Sequence, residues 1–406
     1  MGQSSDVVAD APPTALERHL ASRIEHVELS IRTKMLELAA TLDDVIALGR
    51  GDPDFDTPEH IVEAAQRALA EGAHHYTGPT GLPQLRKAVA EKLRRDNNLT
   101  YEADEVIICN GCQEALFITF MALLNPGDEV LVQAPRFNAY DHMIELAGGK
   151  VVTVPTYEED DFALRPEEIE TRITPRTKVL AVVTPNNPTG GVIPRNALRE
   201  IARLAVERDL IVISDEIYEK LIYDDLEHVS LGTFPGTRER TVTINGFSKA
   251  YAMTGWRVGY LAAPRPFVRA ITEVKHTISI STPTSMQLGA LAALEGPEEP
   301  IRAMRDEYDR RRRFLMAALD EMGISYGYPG GAMYIYANIS SLGMDSEEFC
   351  YELLRQAQVM IFPGTLFGDE HKNHIRISLL APLPRMVEAV ERMKAFVAGR
   401  RSEVRA

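Results

Sequence analysis

The sequence predicts an α/β fold: a mainly parallel seven-stranded sheet packed as an α/β/α sandwich, with a smaller α+β domain beside it. Three observations carry the prediction. Seven short apolar runs fall at Val106 to Cys109, Glu129 to Gln133, Val151 to Val154, Val179 to Thr184, Leu210 to Ser214, Val242 to Asn245 and Val258 to Ala262. Helical stretches such as Pro194 to Arg208 lie between several of them, and strands this continuously apolar are covered on both faces. After about residue 296 the rhythm changes to a long charged helix followed by scattered strands.

Taken in order, residues 1–14 are small and polar around Pro12-Pro13 and read as a disordered arm. Residues 15–56 read as an N-terminal segment that joins the smaller domain. It holds a helical pattern from Ser30 to Ala40, a strand from Val45 to Leu48 and the loop Gly49-Arg50-Gly51-Asp52-Pro53. The larger domain is assigned to residues 57–296. It opens at Thr57-Pro58-Glu59, read as N-cap, first-turn proline and acidic residue of a helix ending near Gly72. Residues 297–406 complete the smaller domain. A charged helix runs from Glu299 to about Met322, with strands at Met333 to Ala337, Val359 to Phe362 and Ile375 to Ser378. Helices are expected near Asp345 to Gln356 and Met386 to Ala398.

Composition narrows the function. The chain has 406 residues, 45% hydrophobic and 25% charged, an ordinary globular composition with length for a large core. A net charge of -15 argues against a nucleic-acid backbone as partner, which calls for a basic surface. The run Arg310-Arg311-Arg312-Arg313 sits beside Asp306, Glu307 and Asp309 and reads as a solvated, paired helix face. Three cysteines suggest no disulfide framework and fit a reducing cytoplasm. Cys109 and Cys112 have CxxC spacing without a second pair to complete a zinc site. There is no signal-peptide pattern, no serine or threonine at position 6 for myristoylation, and no apolar run of membrane-spanning length. The expected setting is cytoplasmic, with neither membrane nor nucleic acid as partner.

Ligands of parallel sheets sit beyond the carboxyl ends of the strands, and four ends here carry chemistry. Asn110-Gly111-Cys112-Gln113 is a glycine turn opening a helix, whose free N–H groups suit a phosphate. Cys112 in that turn reads as non-catalytic, because a bound dianion opposes its ionisation. Pro185-Asn186-Asn187-Pro188-Thr189-Gly190 is a fixed loop able to hold the Asn187 amide in one orientation. Asp215-Glu216-Ile217-Tyr218 puts a carboxylate under the cleft, where burial calls for a cationic partner; an ordinary helix-capping aspartate is the alternative. Finally, Ser248-Lys249 is followed eight residues later by Arg257, a planar fork for phosphate. Lys249 among apolar neighbours can serve as an amine nucleophile, or it is a surface lysine after a turn.

Together these parts match one molecule with a phosphate, a ring cation, a ring oxygen and an aldehyde. The chain resembles the class I/II fold-type-I pyridoxal-phosphate-dependent aminotransferases, the aspartate aminotransferase-like family, from about residue 25 to 400. The motifs, in order, are Gly-Asp-Pro-Asp-Phe-Asp-Thr-Pro, Tyr76-Thr-Gly-Pro-Thr-Gly-Leu-Pro-Gln-Leu-Arg, Asn-Pro-Thr-Gly, Ser-Asp-Glu-Ile-Tyr, Ser-Lys-(x)7-Arg and His374-Ile-Arg376-Ile-Ser. The resemblance implies a Schiff base between Lys249 and pyridoxal 5'-phosphate, with Lys249 as the catalytic proton carrier. It implies Asp215 at the pyridine nitrogen and Asn187 and Tyr218 at the 3′ oxygen. Gly111, Cys112, Gln113, Ser248 and Arg257 would hold the phosphate, and Phe137 would cover the ring. Tyr76 would reach the neighbouring subunit's cofactor, implying a homodimer with shared sites. Arg376 would clamp the substrate α-carboxylate, helped by Gly51 and Asn187.

The chain departs from the family in places. Relatives commonly have Pro-Tyr-Trp where this chain has Pro135-Arg136-Phe137. Arg136 is open to two readings: it reaches a substrate side chain, or it points to water. No arginine lies between Lys275 and Gln287, where some aspartate enzymes carry a second carboxylate clamp. His26 and Glu28 stand where some acidic-substrate relatives have Ser or Thr, so strict aspartate specificity is not expected. His371 and His374 have near-ligand spacing without a supporting carboxylate or cysteine, and no metal is expected. The leading reading is ping-pong transamination between an L-amino acid and a 2-oxo acid. A β-lyase of the same fold and a non-catalytic cofactor-binding regulator are the alternatives.

Overall fold

In the computed structural model, described residues are 14–21 and 31–405. The expected arm, save Thr14, and the positions of His26 and Glu28 lie outside them. The N-terminal part supplies α1 (Ile31–Ala40) and β1 (Ile46–Ala47). Helices α2 (Glu59–Ala70) and α3 (Pro83–Asn97) lead into a seven-stranded sheet. Its strands are β2 (Val106–Cys109), β3 (Glu129–Ala134), β4 (Lys150–Pro155), β5 (Thr177–Val183), β6 (Ile211–Asp215), β7 (Thr241–Gly246) and β8 (Gly259–Ala262). Between and after them run α4 (Gly111–Leu123), α5 (Ala139–Leu146), α6 (Pro166–Glu170), α7 (Arg195–Glu207), α8 (Arg265–Ser279) and α9 (Thr284–Glu295). The rest comprises α10 (Glu299–Glu321), β9 (Ser325–Tyr326), β10 (Tyr334–Asn338), α11 (Ser346–Ala357), β11 (Val359–Met360), β12 (Phe362–Pro363), β13 (His374–Ser378) and α12 (Leu383–Arg405).

The large sheet has the order β2-β8-β7-β6-β5-β3-β4 and is parallel except for β8, which runs antiparallel to both neighbours. Side chains alternate across it. Val130, Val132, Val179, Ala181, Ile213 and Val242 enter one core with α4 and α8. Leu131, Leu180, Val182 and Val212 enter the opposite core with α6 and α7. That is the two-faced burial the apolar runs imply. Register then places the chemistry. Val183 pairs with Asp215 and Asp215 with Ile244, so β5, β6 and β7 end level and their loops leave the same edge. Lys150 and Thr153 on the edge strand β4 are exposed, as solvent on one side of a sheet requires.

The smaller part is a four-stranded antiparallel sheet, β12-β13-β10-β9, whose core includes Tyr334, Tyr336, Ile375, Ile377, Phe349 and Val390. Ile46 and Ala47 pair in parallel with Val359 and Met360, which builds the N-terminal segment into this part. The expected strand from Val359 to Phe362 is two short pieces, and β9 was not expected.

Two expectations need correction. Thr57 does not cap α2; its hydroxyl donates to the Ala252 carbonyl at 2.6 Å and accepts from Trp256 Nε1 at 3.0 Å. The Arg310–Arg313 run pairs with Glu307 and Asp309 as expected, but only Arg310 and Arg313 are solvated. Arg311 and Arg312 are buried. Arg311 Nη1 reaches both Asp54 oxygens, at 2.8 and 2.9 Å, and Arg312 Nη2 reaches Asp224 at 2.7 Å. These two residues fasten α10 to the segments that flank the large sheet. Arg312→Ala removes the buried cation of Asp309 and Asp224 and leaves them only the exposed Arg313 as a cation, and about 3 kcal/mol of unfolding free energy should be lost in a urea titration. A loss under about 0.5 kcal/mol would mean the pair is an ordinary surface one.

Candidate active site

The level ends of β5, β6 and β7 bring three loops to one place, and the end of β2, where Cys109 pairs with Gly259, brings a fourth. Asp215, the last residue of β6, is buried. Its Oδ2 accepts from the Tyr140 hydroxyl at 2.7 Å and its Oδ1 from the Ile217 N–H at 3.2 Å. Burial pushes this carboxyl up to about 6; the two hydrogen bonds and the Lys249 charge oppose the rise, and the Glu216 charge adds to it. No lysine or arginine hydrogen-bonds to it among the described residues. Lys249, in the turn after β7, donates through Nζ to the Gly51 carbonyl. The N-terminal segment is thus the far wall of the lysine's pocket.

The glycine turn before α4 forms as expected. Gly111 has φ +79, and the Arg257 guanidinium lies across its missing side chain: a Cβ there would sit 2.5 Å from Nη2. A Cβ on Gly259 would meet the Gly111 carbonyl carbon at 2.7 Å, so β8 can pass this close to α4 only as glycine. Asn110 does not cap the helix; its side chain binds Glu114 instead, at 3.0 Å. Arg257 donates to the carbonyls of Thr254 at 3.0 Å and Asn110 at 3.4 Å and pairs with no carboxylate among the described residues. An uncapped helix start beside an arginine without an acid has the donors that suit an anion. Ser248 is buried nearby and Gln113 is exposed. Burial, with the charges of Asp215 and Cys109, pushes the Cys112 thiol well up, so it is a neutral group rather than a nucleophile.

Arg376, on β13, is buried against three aromatic rings: its Cζ lies 4.3 Å from Tyr334, 4.7 Å from Phe367 and 5.7 Å from Phe362. Nη1 donates to Asn187 Oδ1 at 3.0 Å and Nη2 to the Gly49 carbonyl at 2.7 Å, whereas Nε is buried without a partner. Burial lowers its pKa from the usual arginine value. A desolvated guanidinium with a donor left open is prepared for a carboxylate. Tyr218 faces Tyr334, with the two hydroxyls 3.3 Å apart, and the place of a Cβ on Gly51 is 3.1 Å from the Tyr334 hydroxyl. Phe137, half-buried, begins the turn into α5 on which Tyr140 sits.

Of the expected residues, Tyr76 stands apart: it is 79% exposed and reaches nothing in this site. Arg136 does not point to water, the second of its two readings. It is buried and held by Asp141 at 2.7 and 2.6 Å. His371 and His374 pack edge-on at 5.8 Å, with His374 stacked on Tyr336 at 4.9 Å. Burial, with the charges of His374 and Arg136, pushes His371 down to about 4. Among the described residues, Glu216, Glu219 and His228 cluster with metal-ligand chemistry. Lys92 already donates to Glu219, and Asn97 donates to Glu216 at 3.1 Å, so side-chain donors fill that place. Sequence reading missed Tyr140, Tyr334, Phe367 and Gly49. Tyr140 left one signal, an aromatic residue one turn beyond Phe137; the other three left none, since segments far apart in sequence deliver them.

Residues 43–392 match the family model described as "Aminotransferase class I and II". The chain is 43% identical over 380 residues to an aspartate aminotransferase of Pyrococcus abyssi, covering 92% of this chain and 97% of that one. It is 40% identical over 378 residues to aromatic-amino-acid aminotransferase 2 of Thermococcus litoralis, covering 92% and 97%. The structure of the Thermus thermophilus aspartate aminotransferase with maleate superposes with a TM-score of 0.88 at 42% identity, covering 93% and 99% of the two chains.

Proposed function

The chain belongs to the class I and II aminotransferases, and from that premise we propose that it binds pyridoxal 5'-phosphate at Lys249 and exchanges an amino group between an L-amino acid and a 2-oxo acid. The observation that carries the reading is a buried carboxylate to which no cation hydrogen-bonds among the described residues, with the Lys249 charge near it, and a buried guanidinium with an open donor, bound to the loop of residues 49–51 that Lys249 also reaches. The donor set fits the cofactor. Asp215 would face the pyridine nitrogen, and Asn187 and Tyr218 the 3′ oxygen. The α4 turn of Gly111, Cys112 and Gln113, with Ser248 and Arg257, would hold the phosphate, and Phe137 would lie over the ring. When bound, the cofactor supplies an electron sink for charge developing at the substrate α-carbon.

The chain's own groups do the rest. Arg376 orients the substrate by its α-carboxylate, using Nε and the guanidinium edge while Asn187 and Gly49 hold the other nitrogens. Lys249 Nζ takes the proton from the α-carbon and returns it on the other side of the exchange. The Gly51 carbonyl fixes the amine between the two domains. Burial raises Asp215 to about 6, and a cation facing it would favour the ionised form, which ties its charge to ring binding. Tyr76, exposed in the single chain, is suited to a second copy's site, and we infer a homodimer from that position. Among the described residues no helix is long and apolar enough to cross a membrane.

An amino-acid panel assayed against 2-oxoglutarate, pyruvate and oxaloacetate tests the reaction. The expected result is one new amino acid formed per 2-oxo acid consumed, with parallel lines in double-reciprocal plots. Ammonia and pyruvate released without an acceptor would overturn it. Aspartate and aromatic amino acids lead the panel, since relatives are named for both.

A further inference from the structure

Arg136 is where the large-sheet part of the molecule meets residues 364–371 of the smaller part. Its backbone N–H donates to the Phe367 carbonyl at 3.0 Å. Its guanidinium is gripped by Asp141 on α5 through Nε and Nη2. The third nitrogen, Nη1, is buried without a hydrogen-bond partner and lies 3.9 Å from Glu370 Oε1. The opposite side of the same segment is tied to α11, where Thr365 Oγ1 donates to Glu347 at 2.7 Å. Between these ties the Phe367 ring lies 4.7 Å from Arg376 Cζ and meets Tyr336 edge-on at 6.2 Å.

We propose that Arg136 is a positioning residue for the substrate carboxylate: it latches residues 364–371 onto the large-sheet part and thereby holds Phe367 against the Arg376 guanidinium. The aromatic ring shields that cation from water and leaves its in-plane donors for a carboxylate. Arg136 is not itself a substrate ligand, because Asp141 takes two nitrogens and the third faces Glu370. An arginine suits the task where a lysine does not. Its planar fork binds Asp141 along one edge and keeps a donor for Glu370, while an ammonium is a single point charge. Asp141 keeps the buried charge paired at all times. Glu370 is half-exposed, so its contact is the releasable one and is open to screening by salt.

This inference rests on Arg376 being the carboxylate clamp, and the test separates the two. In the holoenzyme, KM for the amino acid and the Kd of succinate, a non-reacting carboxylate, are measured together with kcat and the cofactor absorbance. Arg136→Ala should raise KM and Kd together by about tenfold, with a smaller loss in kcat and an unmoved cofactor band. Glu370→Gln, which leaves the Asp141 grip intact, should raise Kd by about twofold and weaken its salt dependence. Phe367→Leu should raise Kd as well, and the double variant with Arg136→Ala should be little worse than the worse single one, since both act on one contact. Unchanged KM and Kd in Arg136→Ala, with only a lower melting temperature, would overturn the latch. So would fully multiplicative effects in the double variant. Arg376→Lys, run beside them, tests the clamp: wild-type succinate binding there refutes the clamp, whereas its loss with Arg136→Ala and Glu370→Gln unaffected refutes the latch alone.

Discussion

Lys249→Ala is expected to lower transamination by about 10⁴-fold or more, since it removes both the covalent attachment point and the proton carrier. Lys249→Arg should be as inactive, although it keeps the positive charge, because a guanidinium neither condenses with an aldehyde nor gives up its proton near neutral pH. That pair separates chemistry from electrostatics. Folding should survive both changes. The lysine stem is half-buried and its ammonium makes one hydrogen bond, to the Gly51 carbonyl, while the apolar anchors of the turn, Phe247 and Ala250, stay in the core. The measurements are turnover with the best substrate pair, melting temperature, and borohydride reduction followed by peptide mapping. The Lys249 peptide should carry the cofactor mass in the wild type and in neither variant. Either variant transaminating within tenfold of wild type would remove Lys249 from the reaction.

The sheet-side half of this site was legible in the sequence because of one physical regularity. A parallel sheet buried on both faces gives continuous apolar runs, and its ligands lie past the carboxyl ends, so Asp215, Asn187 and Lys249 stood where a reader would look. The register that makes those ends level, Val183 with Asp215 and Asp215 with Ile244, follows from the same packing. Nothing in the apolar run at residues 258–262 tells that β8 turns back antiparallel between β2 and β7, because period and composition are blind to strand direction. The clamp side was legible only through its motif. Arg376 alternates on its strand, but its aromatic lining comes from Tyr334 and Phe362 on two strands of the small sheet and Phe367 in the turn after β12. The four-arginine run misled for a related reason. Its local acids pair with all four arginines and so hide the difference between them, whereas the buried Arg311 and Arg312 also meet Asp54 and Asp224, far away in sequence.

Asp215→Ala is expected to reduce kcat on the order of 10³-fold, because it removes a buried carboxylate at the strand end that would hold a ring cation in place. Tyr140→Phe should have a milder effect in the same direction. The Tyr140 hydroxyl donates to Asp215 Oδ2 at 2.7 Å and stabilises the ionised form, so its loss should raise the Asp215 pKa further. The cofactor-free chain offers an independent readout with a definite sign. Burial sets the folded-state pKa of Asp215 at about 6, above the ordinary carboxyl value of 3.8. The folded state therefore binds this proton more tightly than the unfolded chain. Its contribution to stability is fully present below the unfolded value and is lost as pH rises through about 6. Urea unfolding of the cofactor-free wild type should show that decline relative to Asp215→Asn, which does not titrate there. Addition of pyridoxal 5'-phosphate should reverse it, because a ring cation facing the carboxylate favours the ionised form instead. A stability difference between the two proteins that is flat across this interval would show that Asp215 is ionised without help, and its role as the cation's partner would lose its electrostatic basis.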